Sequence, residues 1–197
     1  MNMYFQKLDF KVSPCDIDFT TFKGTYDYEY GNSDFTLKFY FIHDDLKDRV
    51  KQLFSNFVEV APNQIRFVEA TGSEGAIIPP HKDHLLSSIN YYFCASGAST
   101  LWYKTKDDIV FGRAAEYESD QIDLQDQFTA VNGDCYLFNS NQVHSVILGN
   151  GTRRFLQIQY GTPYDELFQK LVTFKMAEGK GIEPLIAESK SAVIPFN

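Results

Sequence analysis

Gly133-Asp134-Cys135-Tyr136-Leu137-Phe138-Asn139-Ser140-Asn141-Gln142-Val143-His144 reads as turn, strand, turn and returning strand. Gly-Asp supplies a tight turn, Cys-Tyr-Leu-Phe is a run of strand-forming residues, and Asn-Ser-Asn turns the chain back. The expectation is an antiparallel hairpin that places His144 at the mouth of a barrel. Similar segments lie on both sides of it. Phe35 to Phe41, Gln64 to Glu69, Ile89 to Phe93, Thr100 to Tyr103 and Arg154 to Tyr160 each have the length of an ordinary strand and are rich in aromatic and β-branched residues. Two helices are expected among them. Leu46, Val50, Leu53 and Phe57 fall at helical spacing over Asp44 to Phe57, and Thr162-Pro163 opens a second helix that runs to Met176. Strands and helices do not alternate, which argues against a doubly wound sheet or an eight-fold α/β barrel. The pattern fits a mainly β fold, a jelly-roll barrel with flanking α-helices on one outer face.

Composition sets the outer limits. The chain has 197 residues, 44% hydrophobic and 22% charged, which is the range of one ordinary globular domain. A chain of this size buries roughly two thirds of its unfolded surface, so it needs no disulfide or metal staple to fold. The expected organisation is a single domain, 1–197, with a jelly-roll core at about 65–160. N-terminal strands and a helix occupy 1–60, and a C-terminal helix and arm 163–197, the arm being extended from Gly179 onward. The net charge is −8 and Lys and Arg are scattered, so phosphate neutralisation is poorly supplied and nucleic-acid binding is disfavoured. Three cysteines, Cys15, Cys94 and Cys135, form neither an even set nor a CxxC pair, which fits a reducing, cytoplasmic setting. The first dozen residues lack the apolar core of a signal peptide. Leu85 to Tyr103 carries no charge, but its serines, Asn90 and Gly97 make it too polar to cross a membrane, and it reads as two strands around a turn.

The chemistry concentrates in a few residues. His81 and Asp83, in Pro79-Pro80-His81-Lys82-Asp83, are two apart, so on an extended segment they share a face while Lys82 and His84 point away. A third ligand from a distant strand completes a facial set of two histidines and one carboxylate, which leaves open positions on an Fe(II) ion. His144 is the candidate for that third ligand. A lone His-x-Asp is common, so the weight falls on the order of the motifs downstream of it.

His81-x-Asp83, then Gly133-Asp134 and Phe138, then His144-Ser145-Val146, then Arg153-Arg154 resembles the Fe(II)- and 2-oxoglutarate-dependent dioxygenase superfamily, over about Ile65 to Tyr160. The resemblance implies a double-stranded β-helix (jelly-roll, cupin-like) fold with Fe(II) held by His81, Asp83 and His144. It also implies 2-oxoglutarate as cosubstrate, O2 as oxidant, and an arginine soon after the distal histidine that binds the far carboxylate. A guanidinium fork suits that task. Arg153 and Arg154 are both candidates. Arg153 shares a strand face with Phe155, Gln157 and Gln159, and Arg154 with Leu156, Ile158 and Tyr160. If helices cover the apolar face, Arg153 points into the barrel.

Asn90, Tyr92 and Cys94 share the more polar face of their strand, and Asn90 and Tyr92 are candidates to touch cosubstrate or substrate. Trp102 or Tyr103 could close the pocket wall. Lys104 and Lys106 are read as solvated, Thr71 to Gly75 as a surface loop, and Asp107 to Gln127 as a long acidic loop.

The expected function is hydroxylation of an unactivated C–H bond, with a protein or peptide side chain as the working substrate and small molecules left open. In the family that the motifs resemble, halogenation goes with a small residue in place of the carboxylate ligand, so the presence of Asp83 argues against it. The alternatives are a cupin-like metal isomerase using the same ligands, or a catalytically inactive jelly-roll binding module. A homodimer is compatible with an aromatic-rich barrel.

Overall fold

The computed structural model describes residues 3–8, 23–55, 60–106 and 119–177. The sequence of elements is β1 (Phe5–Leu8), β2 (Tyr26–Gly31), β3 (Phe35–Phe41), α1 (Asp44–Ser55), β4 (Gln64–Gly72), β5 (Ile77–His81), β6 (Ser87–Cys94) and β7 (Ser99–Thr105). After a short 3-10 turn at Ser119–Gln121 come β8 (Ile122–Thr129), β9 (Cys135–Phe138), β10 (Val143–Ile147), β11 (Arg153–Tyr160) and α2 (Tyr164–Ala177).

The strands form two antiparallel sheets. The larger runs β1-β9-β6-β11-β4-β3-β2 and the smaller β5-β10-β7-β8. From β4 to β11 the chain steps between sheets: β4 large, β5 small, β6 large, β7 and β8 small, β9 large, β10 small, β11 large. This is the winding of a jelly-roll, and it is the expected fold class.

That winding corrects the reading of the Gly133–His144 segment. β9 pairs with β6 and β1, whereas β10 pairs with β5 and β7, so the two strands are not a hairpin. The Asn139–Gln142 turn carries the chain from one sheet across to the other. Turn-forming residues mark a reversal without saying whether the returning strand pairs with its predecessor or faces it. The same holds for β6 and β7, whose turn also changes sheets. Gly133 sits at φ +87°, a left-handed conformation that glycine adopts without steric cost, and its N–H donates to the Tyr92 carbonyl at 2.7 Å.

A second correction concerns the acidic loop. Its last part is strand: Ile122–Thr129 pairs with β7 along seven residue pairs. Its outward residues are polar because β8 is the edge of the small sheet, and an edge strand needs only one buried face. Residues 107–118 lie outside the described residues, as do Phe57 and the arm expected from Gly179.

The two faces of the large sheet are covered differently. On the outer face Ile65, Phe67, Ile89, Leu137, Leu156 and Ile158 pack against Val50 of α1 and Leu167, Phe168 and Leu171 of α2. Each fully buried side chain of this kind contributes roughly 1.5–3 kcal/mol. α2 starts where Leu167 N donates to Pro163 O at 2.9 Å, with Asp165 and Glu166 in its first turn, where they complement the helix dipole. Between the sheets, Tyr92, Trp102, Phe128, Tyr136, Phe138 and Phe155 fill the half of the barrel beneath β1 and β9. Phe128 and Tyr136 stack at 3.9 Å, and Phe5 and Trp102 at 4.9 Å. The other half, beneath β11, β4, β3 and β2, is left open as a cavity. No described helix is long and apolar enough to cross a membrane.

Candidate metal centre and its cavity

His81 ends β5, and His144 lies opposite it in register on β10, so their rings sit side by side at 4.5 Å between centroids. Asp83 comes next in the loop to β6. Its backbone N–H donates to Ser140 O at 2.9 Å, which ties that loop to the β9–β10 turn. The result brings the three expected ligands together, with one ligand atom from each lying within 4.8 Å of the others.

The donor set fits a cation. His81 Nδ1 lies 2.7 Å from Pro79 O, and His144 Nδ1 lies 2.9 Å from Gln142 O. A carbonyl only accepts, so both Nδ1 atoms carry the hydrogen and both Nε2 atoms present lone pairs. Those lone pairs face Asp83 Oδ1 at 3.7 and 3.9 Å, beyond hydrogen-bond reach. Two lone pairs and a carboxylate oxygen converging without a shared proton repel one another unless a cation lies between them. Burial, and second the repulsion that a proton on His81 would exert, push the His144 imidazole below its ordinary range and keep it neutral, as a metal ligand must be. The carbonyl acceptors also fix the ring planes.

The cluster opens into a cavity of about 390 Å³, within the range of small-ligand sites. Arg153 lines it and is 2% exposed. Its guanidinium donates to Tyr92 Oη at 2.6 Å and to Thr100 Oγ1 at 3.0 Å, while Nε is buried without a partner among the described residues. No described carboxylate pairs with it. A buried guanidinium lacking a counter-charge is costly, and it suits an anionic ligand. Val146, two residues beyond His144, is the register partner of Thr100, so the guanidinium anchor lies about 7 Å down the barrel from the metal cluster.

Arg154 has the opposite environment. Its Nε donates to Glu69 at 3.0 Å on the outer face, where Lys23 reaches the same carboxylate at 2.9 Å. Burial alone would raise the Glu69 carboxyl, but hydrogen bonds from Lys23 and Arg154 hold it below its ordinary value. Arg154 does not line the cavity.

Asn90 lines the cavity with Oδ1 buried and unpartnered among the described residues. Tyr92 lies behind Arg153, fully buried, and acts on the cavity through it. Burial pushes its phenol up, so it stays protonated. Trp102 and Tyr103 do not line the cavity: Trp102 is packed in the aromatic half, and Tyr103 Oη pairs with Ser145 at 2.9 Å. Lys104 and Lys106 are exposed as expected. His84, expected to point away, is exposed at the cavity rim.

Sequence reading missed Thr100, and it missed Gln64 and Arg66, which line the cavity beside β11. Alternation was the available signal. Ile65 and Phe67 belong to the helix-covered face, which sends Gln64 and Arg66 inward.

No protein-family description matches this chain, and no curated protein sequence matches it. Solved structures similar to it include hazelnut (Corylus avellana) vicilin, at 12% identity and TM-score 0.37 over 66% of this chain and 31% of that one. Others are Bacillus subtilis oxalate decarboxylase, at 14% and 0.37 over 68% and 27%, and Momordica charantia 7S globulin, at 12% and 0.40 over 82% and 35%. The matched region thus spans about a third or less of each of those proteins.

Proposed function

We propose that the protein is a non-haem Fe(II) oxygenase that uses 2-oxoglutarate and O2 to hydroxylate a C–H bond. The observation that carries this reading is Arg153, a buried guanidinium with no described carboxylate partner, in the same cavity as His81, Asp83 and His144 and about two strand residues below them. A short diacid has that reach: one end at the cluster, the other on the guanidinium. An isomerase acting on a neutral substrate has no use for a second, deeper anion anchor.

His81, Asp83 and His144 would hold the metal, and the cavity beside them would admit the ligands it acts on. Arg153 binds the far carboxylate, with Tyr92 and Thr100 fixing the guanidinium so that little freedom is lost on binding. Ile78, Val146 and Phe155 line the same cavity and give it an apolar stretch. Bound Fe(II) supplies O2 activation coupled to oxidative decarboxylation, so that 2-oxoglutarate, O2 and R–H give succinate, CO2 and R–OH.

The test is succinate formation. Purified protein with Fe(II), 2-oxoglutarate and air is expected to release succinate slowly without substrate, and Asp83→Ala to lose that release together with at least about 100-fold in Mn(II) affinity. Wild-type protein that binds metal tightly yet forms no succinate would move the assignment to a non-oxidative metal enzyme or a binding module.

A further inference from the structure

The cavity has a second chemical character at its mouth. Gln157 and Gln159 project from β11 into it and are 8% and 6% exposed, yet neither side chain hydrogen-bonds to any described protein group. In register, Asn90 flanks Gln157 on β6 and Gln64 flanks Gln159 on β4. Neighbouring strands are about 4.8 Å apart, so these carboxamides form a grid on one wall. The amide groups of Gln157 and Gln159 reach the cavity, where water or a ligand meets them, and Asn90 Oδ1 is sealed off without a partner among the described residues.

We propose that this amide wall is the primary-substrate subsite and takes an extended peptide segment, recognised through its main-chain amides. The inference rests on the oxygenase reading for its consequence and on the wall itself for its chemistry. Each carboxamide offers one acceptor and two donors, so the wall complements a ligand carrying both. It presents no net charge, because Arg66, the cation beside it, is paired with Asp27 at 3.3 Å and donates to Tyr28 Oη at 3.3 Å. An ion of either sign finds no opposite formal charge on these carboxamides to pair with, only dipoles.

Spacing selects a peptide. Gln157 and Gln159 are two residues apart on a strand, about 6.8 Å, and the like-facing amide groups of an extended peptide recur at the same interval. A hydroxyl-rich ligand supplies donors and acceptors without that repeat. Farther along the same sheet, next to Arg66, Tyr28 stacks on Phe39 at 4.4 Å and 13° and lines the cavity with it, an aromatic surface for an apolar side chain. Position agrees as well. The Gln157–Gln159 end of β11 meets the loop beyond Asp83, where Leu86 N donates to Tyr160 O at 3.1 Å, while Arg153 stands at the other end. A peptide on this wall passes the metal cluster and leaves the deep end to the cosubstrate.

The experiment uses metal-free full-length protein and nuclear magnetic resonance titrations, so it depends on neither iron nor turnover. The probes are N-acetyl-glycyl-glycine methylamide, methyl β-glucoside, succinate and toluene. The capped peptide is expected to bind, to bind equally with Arg153 saturated by 2-oxoglutarate, and to weaken about fivefold in Gln157→Met and again in Gln159→Met. Gln157→Glu, which keeps the size of the side chain, should shift preference from the capped peptide to glycine methylamide with its free ammonium group. Thermal unfolding of each variant establishes that it is folded. The proposal is overturned if the glucoside, succinate or toluene binds this wall in preference to the peptide, if peptide affinity is unchanged in the folded variants, or if no probe binds. Any of these leaves succinate formation untouched, so the subsite and the oxygenase reading fail separately.

Discussion

Arg153 and Arg154 are neighbours on β11, chemically identical, and end in opposite environments. Arg153 is 2% exposed, held by a phenol and a threonine hydroxyl between the sheets. Arg154 lies on the outer face with its side chain 42% exposed and is paired with Glu69. The whole strand repeats the contrast: Phe155, Gln157 and Gln159 line the cavity, while Leu156 and Ile158 pack under the helices. A sheet buried on both faces can spend one on stability and the other on ligand binding, and the two-residue period of the strand divides the work. Polar residues survive on the inner face where the barrel is open and give way to aromatics where it is filled.

That division can be attacked from either side. The largest effect expected on stability comes from the outer face. Ile158→Ala empties a fully buried position against α2 and should cost about 2–5 kcal/mol in urea unfolding, with metal affinity per folded molecule unchanged. A loss of metal binding in the folded fraction would mean that the two faces are not separable. On the inner face, Tyr92→Phe removes one of two hydroxyls that hold Arg153. Binding of 2-oxoglutarate, measured by calorimetry, should weaken about fivefold while metal affinity holds.

The smallest effect belongs to the outer arginine. Glu69 has its pKa held below the ordinary 4.5, so its pairing with Lys23 and Arg154 stabilises the fold above that value and is lost as pH falls through the lowered pKa. Glu69→Gln should therefore cost under about 1 kcal/mol at pH 7, and the difference from wild type should shrink in acid. A difference that grows in acid would reverse the sign of this assignment.

Much of this was legible in the residues, and the misses have physical causes. β3 and β9 have the bounds expected from composition, and the helices lie where periodicity places them. The parity of β11 put its two arginines on opposite faces and left both as candidates; the helices packed on the Leu156 and Ile158 face show that Arg153 is the inward one. The sheet crossing at Asn139–Gln142 was not legible, because turn chemistry is local and pairing is not. β8 was hidden by polar edge residues, and β2, Tyr-Asp-Tyr-Glu-Tyr-Gly, is so exposed that it has little buried pattern to read. The amide wall was visible only as polar residues on a strand face. Its meaning required knowing that β4, β6 and β11 are adjacent, which the sequence order conceals.

The central claim is that Arg153, and not Arg154, completes a cosubstrate site with His81, Asp83 and His144. An anaerobic titration of the apoprotein with Fe(II) and then 2-oxoglutarate tests it directly through the visible charge-transfer band of a metal-chelated 2-oxo acid. The band should form in wild type and in Arg154→Met at the same 2-oxoglutarate concentration, and require about 30-fold more in Arg153→Met. No band with Fe(II) bound, or equal dependence in both variants, would contradict the account.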